Sequence, residues 1–212
     1  MSHYDEKYFK WQKQIGEIGG ILNKFKFEEH IQNDNITLMD FGCGGGYLLN
    51  NFNVKKKIGF DINKTALEEC RKKSIEVYSN FDDIENNSID IIISNHAMEH
   101  VPEPLYILKE LYKKLKNNGS IIIVIPCEQS TETSFYYNSS DINKHLYTWC
   151  PMTFGNLLEH AGFKNIISKP FRHKWCPDYK ENYDKPNFHD RCIEYAIKTG
   201  NYQIKAIATK IN

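Results

Sequence analysis

An acidic residue followed by a glycine-rich turn is the clearest chemical signal in the sequence. The stretch "TLMDFGCGGGYLLNNF" (37–52) places Asp40 at the end of an apolar run and four glycines within positions 42–46. Backbone N–H groups in such a turn can bind an anionic group, while the carboxylate of Asp40 favours a cation. Because a plain turn rarely needs more than one or two glycines, the pattern predicts a ligand-binding loop.

Two common nucleotide-binding patterns do not fit this loop. The dinucleotide fingerprint G-x-G-x-x-G, counted from Gly42 and Gly44, requires glycine at position 47, where the chain has Tyr47. The phosphate-binding P-loop requires Gly-Lys-Ser or Gly-Lys-Thr after the turn, and no such sequence follows it. The loop therefore suits a guest with a cationic end better than a pyrophosphate.

Three histidines are candidates for removing a proton from a bound molecule, because histidine is the usual base near neutral pH. His96 directly follows the apolar run at 89–95, and His100 lies in "MEHVP". His145 precedes a predicted helix. A packing role for His100 and a loop-stabilising hydrogen bond for His145 are the structural alternatives.

The composition restricts which binding partners and which cellular location we expect for the protein. The 212 residues correspond to one domain, and 27 basic residues balance 27 acidic ones, which disfavours bulk binding to nucleic acid or an anionic membrane. Neither a membrane-length apolar run nor the hydrophobic region of a signal peptide occurs, so a cytoplasmic protein is expected. The six cysteines are predicted to be free thiols.

Short β-rich runs alternate with helical stretches from Asn35 onwards, which predicts an open doubly wound α/β sheet. An N-terminal helical segment precedes them and is expected to bend or break near Gly19. Residues 170–190 are expected to be irregular. The predicted strands are 36–41, 57–62, 75–79, 89–95, 120–126, 163–169 and 202–211, and the predicted helices are 46–52, 64–73, 103–116 and 151–163.

Residues 36–126 resemble the core of the class I S-adenosylmethionine-dependent methyltransferases, with a weaker match beyond. "DFGCGGG" (40–46) looks like their first motif, and "GFD" (59–61) puts Asp61 where the ribose-binding acid belongs. "NFDD" (80–83) resembles the adenine-binding segment. "SNHAMEHVPEPL" (94–105) is similar to a stretch common in the small-molecule branch, and "HLYTWCPMTFGNLLEHAGF" (145–163) resembles the segment that often follows the fifth strand there.

This resemblance implies a Rossmann-like, mostly parallel seven-stranded sheet whose last strand is antiparallel. We expect a single methyltransferase domain over 1–212. It consists of an N-terminal helical cap (1–34), a cofactor-binding core (35–126), and substrate-side loops with C-terminal strands (127–212).

S-adenosylmethionine is the cofactor that the resemblance implies. Asp61 could instead cap the following helix, and Asp82 could be a plain turn residue. The expected cofactor-binding residues are Asp40, Gly42, Cys43, Gly44, Asp61, Ile62, Phe81, Asp82 and Asn95, and the candidate catalytic residues are His96, His100 and His145.

The function that follows is O-methylation of a small molecule or of a sugar or glycan precursor. An NAD(P)-dependent oxidoreductase and a non-catalytic S-adenosylmethionine-binding scaffold are the alternatives. Methylation of DNA amino groups is disfavoured, because "SNHA" (94–97) lacks the Asp/Asn-Pro-Pro-aromatic motif that the resemblance would require for it.

A repeated H-x-x-C pattern raises the question of a structural zinc ion. His173 and Cys176 are separated by twelve residues from His189 and Cys192, a spacing near that of zinc sites. The family resemblance requires no metal there, so we predict no metal site.

Overall fold

The computed structural model describes residues 16–131, 136–141 and 143–211. Positions 1–15 of the expected N-terminal cap lie outside the described residues. The strands are β1 (Thr37–Phe41), β2 (Lys56–Phe60), β3 (Glu76–Tyr78), β4 (Ile89–Asn95), β5 (Leu115–Pro126), β6 (Lys164–Phe171) and β7 (Gln203–Thr209). The helices are α1 (16–24), α2 (Lys64–Arg71), α3 (Pro104–Lys114), α4 (Pro151–His160), α5 (Tyr179–Asn182) and α6 (Phe188–Thr199).

The seven strands form one sheet in the order β3-β2-β1-β4-β5-β7-β6. All neighbours pair in parallel except those of β7, which runs antiparallel to both β5 and β6. The predicted Rossmann-like sheet with an antiparallel last strand is therefore confirmed. The chain extends the sheet outwards from β1 in one direction and from β4 in the other, so the carboxyl ends of β1 and β4 flank the crevice where such sheets bind ligands.

Apolar side chains cover both faces of the sheet. Along β5, Ile121, Ile123 and Ile125 pack into the core on one face, while Ile122 and Val124 pack into the core on the other. This alternation follows from the two-residue period of a strand. The central strands can bury both faces because helices cover each side, which explains why β1, β4 and β5 read as nearly continuous apolar runs.

The helix termini follow sequence signals that fix their positions. The side chain of Asn63 accepts hydrogen bonds from the backbone N–H groups of Thr65 and Ala66, and so caps α2. Pro104 and Pro151 occupy the first turns of α3 and α4, where proline's missing N–H costs nothing. Gly200 ends α6 in the left-handed conformation (φ 65°).

The structure corrects three of the predicted elements. The helix predicted at 46–52 is only a 3-10 turn at Leu49–Asn51, because the chain must extend at Phe52 to reach β2. Residues 170–190 are not wholly irregular, since they contain α5 and the start of α6. The buried positions of α6 are Phe188, Cys192 and Ala196. Two of the three are small residues, so the sequence showed no clear helical period of large apolar side chains there. Finally, β5 begins at Leu115 rather than near 120.

The predicted break in the N-terminal helix does not occur, because its glycines serve close packing. α1 continues through Gly19 and Gly20 to residue 24. A Cβ atom on Gly20 would collide with the backbone carbonyl of Tyr47, and one on Gly16 would lie 2.5 Å from the Tyr47 ring. The glycines therefore let α1 lie directly against the glycine-rich loop.

No helix in the described ranges combines the length and apolar character needed to cross a bilayer.

We expect Gly20→Ala to lower the free energy of unfolding by about 1–3 kcal/mol, because the new methyl group collides with the Tyr47 backbone. The matched control is Gly155→Ala within α4, where the added Cβ would meet its nearest neighbour at an ordinary 3.5 Å. That control should be neutral or stabilising by about 0.5–1 kcal/mol through helix propensity. Urea unfolding followed by circular dichroism measures both, and equal stabilisation of the two variants would contradict the packing role.

Candidate active site

A cavity of about 1010 Å³ opens at the carboxyl ends of β1 and β4. One wall is the glycine-rich loop, another is the segment after β4, and a third is the loop that precedes α4. The structure brings together at this cavity eight of the predicted site residues: Asp40, Gly42, Cys43, Gly44, Asn95, His96, His100 and His145.

The glycine-rich loop turns sharply over the end of β2. The backbone N–H groups of Gly42 and Cys43 both donate to the carbonyl of Phe60, at 2.8 and 3.1 Å. Gly42 has a φ of 76°, and a Cβ at this position would collide with that of Ala97. Glycine is thus required at position 42 both for the backbone conformation and for contact with the segment after β4.

Asp61 fixes the same loop from behind. Its Oδ2 accepts a hydrogen bond from the N–H of Gly44 at 2.8 Å, and its Oδ1 accepts one from the N–H of Asn63 at 2.9 Å. Asp61 is not the cap of α2, because Asn63 has that role. Burial raises the pKa of Asp61, although the backbone hydrogen bonds oppose this shift.

Three other predicted cofactor residues lie away from the cavity wall. Ile62 is 65% exposed, and Phe81 is buried in a ring stack with Phe60, with centroids 4.3 Å apart. Asp82 is exposed in a 3-10 turn, where its backbone N–H donates to the side chain of Asn80. This geometry matches the turn-residue alternative for Asp82.

Asp40 is buried at the base of the cavity with 2% of its surface exposed. Burial, reinforced by the nearby negative charge of Asp61, raises its pKa well above the ordinary value. Two carboxylates in a poorly solvated region repel each other, so a cation bound beside them would be stabilised.

A buried carboxylate, that of Glu99, is the centre of the histidine cluster. Nδ1 of His96 lies 3.2 Å from Glu99 Oε1, while Nε2 of His145 and Nε2 of His100 lie 3.9 and 4.0 Å from the same oxygen. The Glu99 side chain has no exposed surface. Burial alone would raise the pKa of Glu99, but the hydrogen bond from His96 and the charges of His96 and His100 lower it overall.

His96 is held in an uncommon backbone conformation directly after β4. Its φ is 54°, and its N–H donates to the carbonyl of Val124 at 2.8 Å. The Nε2 atom of its ring lies 3.2 Å from Oε1 of Gln203. Non-glycine residues in this region of backbone space cluster at functional sites, where the surrounding contacts hold them in place.

Lys26 supports the same region from beneath. Its ammonium group donates to Oδ1 of Asn95 at 3.0 Å and to Oε1 of Gln203 at 2.9 Å. Burial lowers the pKa of Lys26 to about 7, and the negative charge of Glu99 partly offsets that shift. Asn95, which the sequence assigned to cofactor binding, is therefore also part of a buried polar network.

Sequence reasoning missed Glu99, Lys26 and Gln203 as parts of the site. Glu99 stands directly before His100 in the "MEHVP" stretch, so an acidic residue beside a candidate base was a usable signal. Lys26 and Gln203 gave none, because they are 177 positions apart in the chain.

The H-x-x-C pair does not assemble into one cluster of four ligands. Nε2 of His173 lies 3.0 Å from Nδ1 of His189, and the sulfur atoms of Cys176 and Cys192 lie 4.0 Å apart. Within the described ranges, these residues do not bring three ligand atoms within 4.8 Å of one another. Histidine thus pairs with histidine and cysteine with cysteine.

The architecture and the glycine-rich loop after β1 define a class I S-adenosylmethionine-dependent methyltransferase fold. A family model described as a methyltransferase domain matches residues 10–168. The chain therefore belongs to this methyltransferase family, and its cofactor is S-adenosylmethionine. This result decides against the nicotinamide-dependent alternative.

Two curated relatives carry different methyltransferase names. The chain is 22% identical over 149 residues to phosphoethanolamine N-methyltransferase 3 of Arabidopsis thaliana, covering 62% of this chain and 29% of that protein. It is 27% identical over 96 residues to the ubiquinone biosynthesis O-methyltransferase of Vibrio atlanticus, covering 40% of each. The chain thus spans less than half the length of these two relatives.

Two solved structures share the fold. A SAM-dependent methyltransferase from Thermotoga maritima has a TM-score of 0.70 and 16% identity, covering 96% of this chain and 94% of that one. Phosphoethanolamine N-methyltransferase 2 of Haemonchus contortus, in complex with phosphomonomethylethanolamine and S-adenosylhomocysteine, has a TM-score of 0.62 and 15% identity. That match covers 100% of this chain and 61% of the other.

His173 should make the stability of the protein depend on pH. Burial, with help from the charge of Lys26 and from His189, lowers the pKa of His173 to about 3. The unfolded chain takes up a proton below pH ~6.5 while the folded chain does not, so stability falls as the pH is lowered from ~6.5 towards 3. His173→Phe, which removes the proton site, should reduce the loss of unfolding free energy between pH 7 and pH 5 by on the order of 1–2 kcal/mol.

Urea unfolding at the two pH values measures this difference. His160→Gln, at an exposed position of α4, is the control and should behave like the wild type. The same pH dependence in His173→Phe as in the wild type would contradict the assignment.

Proposed function

We propose that this protein transfers the methyl group of S-adenosylmethionine to an oxygen atom of a small molecule, a class that includes sugars and glycan precursors. The observation that carries the proposal is the cavity itself. It joins the glycine-rich loop to a cluster of three histidines around Glu99. A methyl donor held by the loop and an acceptor facing the histidines would share this one cavity.

The cofactor has chemical groups that match the residues on the loop side. Its cationic amino-acid end would relieve the repulsion at Asp40, and its carboxylate would accept hydrogen bonds from loop N–H groups near Gly42, Cys43 and Gly44. Its ribose would lie towards Asp61, and its adenine would lie towards Ile62, Phe81 and Asp82. Asn95, between the loop and His96, would border the reacting sulfonium.

The transfer itself requires alignment and the removal of one proton. The acceptor oxygen attacks the methyl carbon in line with the carbon–sulfur bond, whose electron pair stays on sulfur as that bond breaks. The proton of the acceptor hydroxyl must leave as the new carbon–oxygen bond forms. We assign its removal to His96, whose Nδ1 the buried carboxylate of Glu99 orients. The Nε2 atom, which faces Oε1 of Gln203 at the cavity wall, would turn from that amide oxygen to the acceptor hydroxyl and take its proton as the neutral imidazole.

The experiment that tests this function is an assay for S-adenosylhomocysteine release with panels of hydroxyl compounds and of amines. Turnover with a hydroxyl acceptor is the expected result. Turnover confined to amines would overturn the assignment of O-methylation, and cofactor binding without turnover on any acceptor would favour the scaffold alternative.

Asp61→Ala should weaken S-adenosylhomocysteine binding at least tenfold, a loss of about 1.4 kcal/mol or more. The change removes the expected acceptor for the ribose hydroxyls and frees the N–H of Gly44 from its partner. Isothermal titration calorimetry measures the affinity. Asp34→Ala, an exposed position preceding the amino end of β1, is the control, and unchanged affinity in Asp61→Ala would show that the ribose is bound elsewhere.

His96→Asn should lower kcat by about 10²–10⁴-fold, the usual contribution of a general base, with little change in S-adenosylhomocysteine affinity. Asparagine is chosen because it tolerates the left-handed backbone of this position better than alanine. A kcat within a fewfold of the wild type would remove His96 from the proton transfer. His160→Asn is the matched control.

A further inference from the structure

Glu99, His100 and His145 bring three potential metal ligands to the cavity wall. Their ligand atoms lie within 4.8 Å of one another. The distances of 4.0 Å from His100 Nε2 and 3.9 Å from His145 Nε2 to Glu99 Oε1 are too long for hydrogen bonds. The two imidazoles therefore face one carboxylate oxygen across a gap about the size of an ion.

The second carboxylate oxygen of Glu99 gives a separate indication that a ligand belongs near this side chain. Oε2 is buried and accepts no hydrogen bond from any residue that the structure describes. A buried polar atom without a hydrogen-bond partner destabilises the fold, and a charged one does so more strongly. Buried carboxylates are usually compensated by an opposite charge or by a metal ion.

We propose that Glu99, His100 and His145 bind a divalent transition metal ion, and that this ion binds the hydroxyl oxygen of the methyl acceptor. The inference rests on the proposed function and narrows the acceptor to hydroxyl compounds that can coordinate a metal. Two imidazoles and one carboxylate form a donor set that suits Zn²⁺, Mn²⁺ or Fe²⁺ better than Mg²⁺ or Ca²⁺. Three protein ligands leave further coordination positions open, and all three line the cavity.

The present spacing needs only a small adjustment. Bonds of about 2.0–2.1 Å at tetrahedral angles place ligand atoms about 3.4 Å apart. The two histidine–glutamate pairs must therefore close by about half an ångström, and the histidine–histidine pair, which lies within 4.8 Å, by at most about 1.4 Å. His145 is the ligand best able to move, because 30% of its side chain is exposed and it lies on a loop. That loop is already tied to the site, since the N–H of Leu146 donates to the backbone carbonyl of Glu99 at 2.9 Å.

The chemistry gained would complement the role of His96. Coordination to a divalent cation lowers the pKa of a bound hydroxyl group, so its proton passes more readily to His96. The resulting oxygen anion attacks the methyl carbon, and the sulfonium becomes a neutral thioether. No oxidant or reductant is required.

The test uses Co²⁺ and Zn²⁺ as probes on the full chain after treatment with a chelator. Calorimetry should show one Zn²⁺ per chain, with much weaker binding of Mg²⁺. His145→Ala and Glu99→Gln should each weaken Zn²⁺ binding at least tenfold, and exposed His160→Ala should not. Because His145 is on a loop, its variant should remain folded even if Glu99→Gln does not, and circular dichroism checks both.

Three results would overturn the proposal. One is the absence of stoichiometric metal in a protein that still binds S-adenosylhomocysteine, which would leave the methyltransferase function intact. Another is metal binding that survives His145→Ala unchanged. The third is a thiolate-to-cobalt charge-transfer band in the Co²⁺ spectrum, which would assign the metal to the cysteines. Failure to bind S-adenosylhomocysteine at all would instead contradict the proposed function.

Removing the metal with a chelator tests whether the metal contributes to methyl transfer. Methyl transfer to a hydroxyl acceptor should fall at least tenfold after metal removal and return when Zn²⁺ or Mn²⁺ is restored, with cofactor affinity unchanged throughout. Full activity in the stripped protein, checked for metal content, would contradict the role in acceptor binding.

Discussion

The burial of β1, β4 and β5 on both faces is the constraint from which the rest of the molecule follows. Most side chains in the middle of these strands are buried, so polar groups reach a ligand mainly at the strand ends. The chain leaves the sheet in opposite directions after β1 and β4, which opens a crevice between those ends. Asp40, the glycine-rich loop and His96 all lie at that crevice because the sheet offers no other place for them.

The site contains several buried charged groups, and different partners replace the water that each has lost. Asp61 is compensated by backbone N–H groups of Gly44 and Asn63. Lys26 is compensated by two amide side chains. Glu99 has histidines around one oxygen and no hydrogen-bond partner for the other among the residues that the structure describes. Asp40 is buried at the cavity, where the nearby charge of Asp61 adds to the cost of its own. Both of these carboxylates line the cavity where we propose that the methyl donor and the acceptor meet.

Closely packed glycines connect α1, in the N-terminal cap, to the glycine-rich loop of the candidate site. Gly16 and Gly20 of α1 fit against Tyr47, and Gly42 fits against Ala97. Added side chains at these points would displace the loop from both sides. The loop conformation thus depends on two contacts outside the motif itself, and a change in α1 is expected to reach the cofactor pocket without any direct contact to the ligand.

Local patterns were sufficient to predict much of the fold. β-rich runs predicted all seven strands, and nearly continuous apolar runs marked β1, β4 and β5 as the strands covered on both faces. The alternation of these runs with helical stretches indicated the doubly wound sheet. The loop after β1 and the three histidines were also identified from their types and positions. The errors occurred where tertiary contacts override propensity: glycines that pack rather than break α1, and a 3-10 turn where the loop suggested a helix.

The sequence alone predicted the class of fold, which the structure confirms, and it pointed to the glycine-rich loop and to three candidate bases, because these signals lie in short stretches of consecutive residues. Only the tertiary structure made Glu99 the common neighbour of His96, His100 and His145, and only it joined Lys26 to Gln203 across 177 positions. Such contacts leave no local pattern in the sequence, because a lysine or glutamine that joins a distant buried network has the same kind of neighbours along the chain as one that faces solvent. They arise when the sheet brings the ends of its strands to one edge.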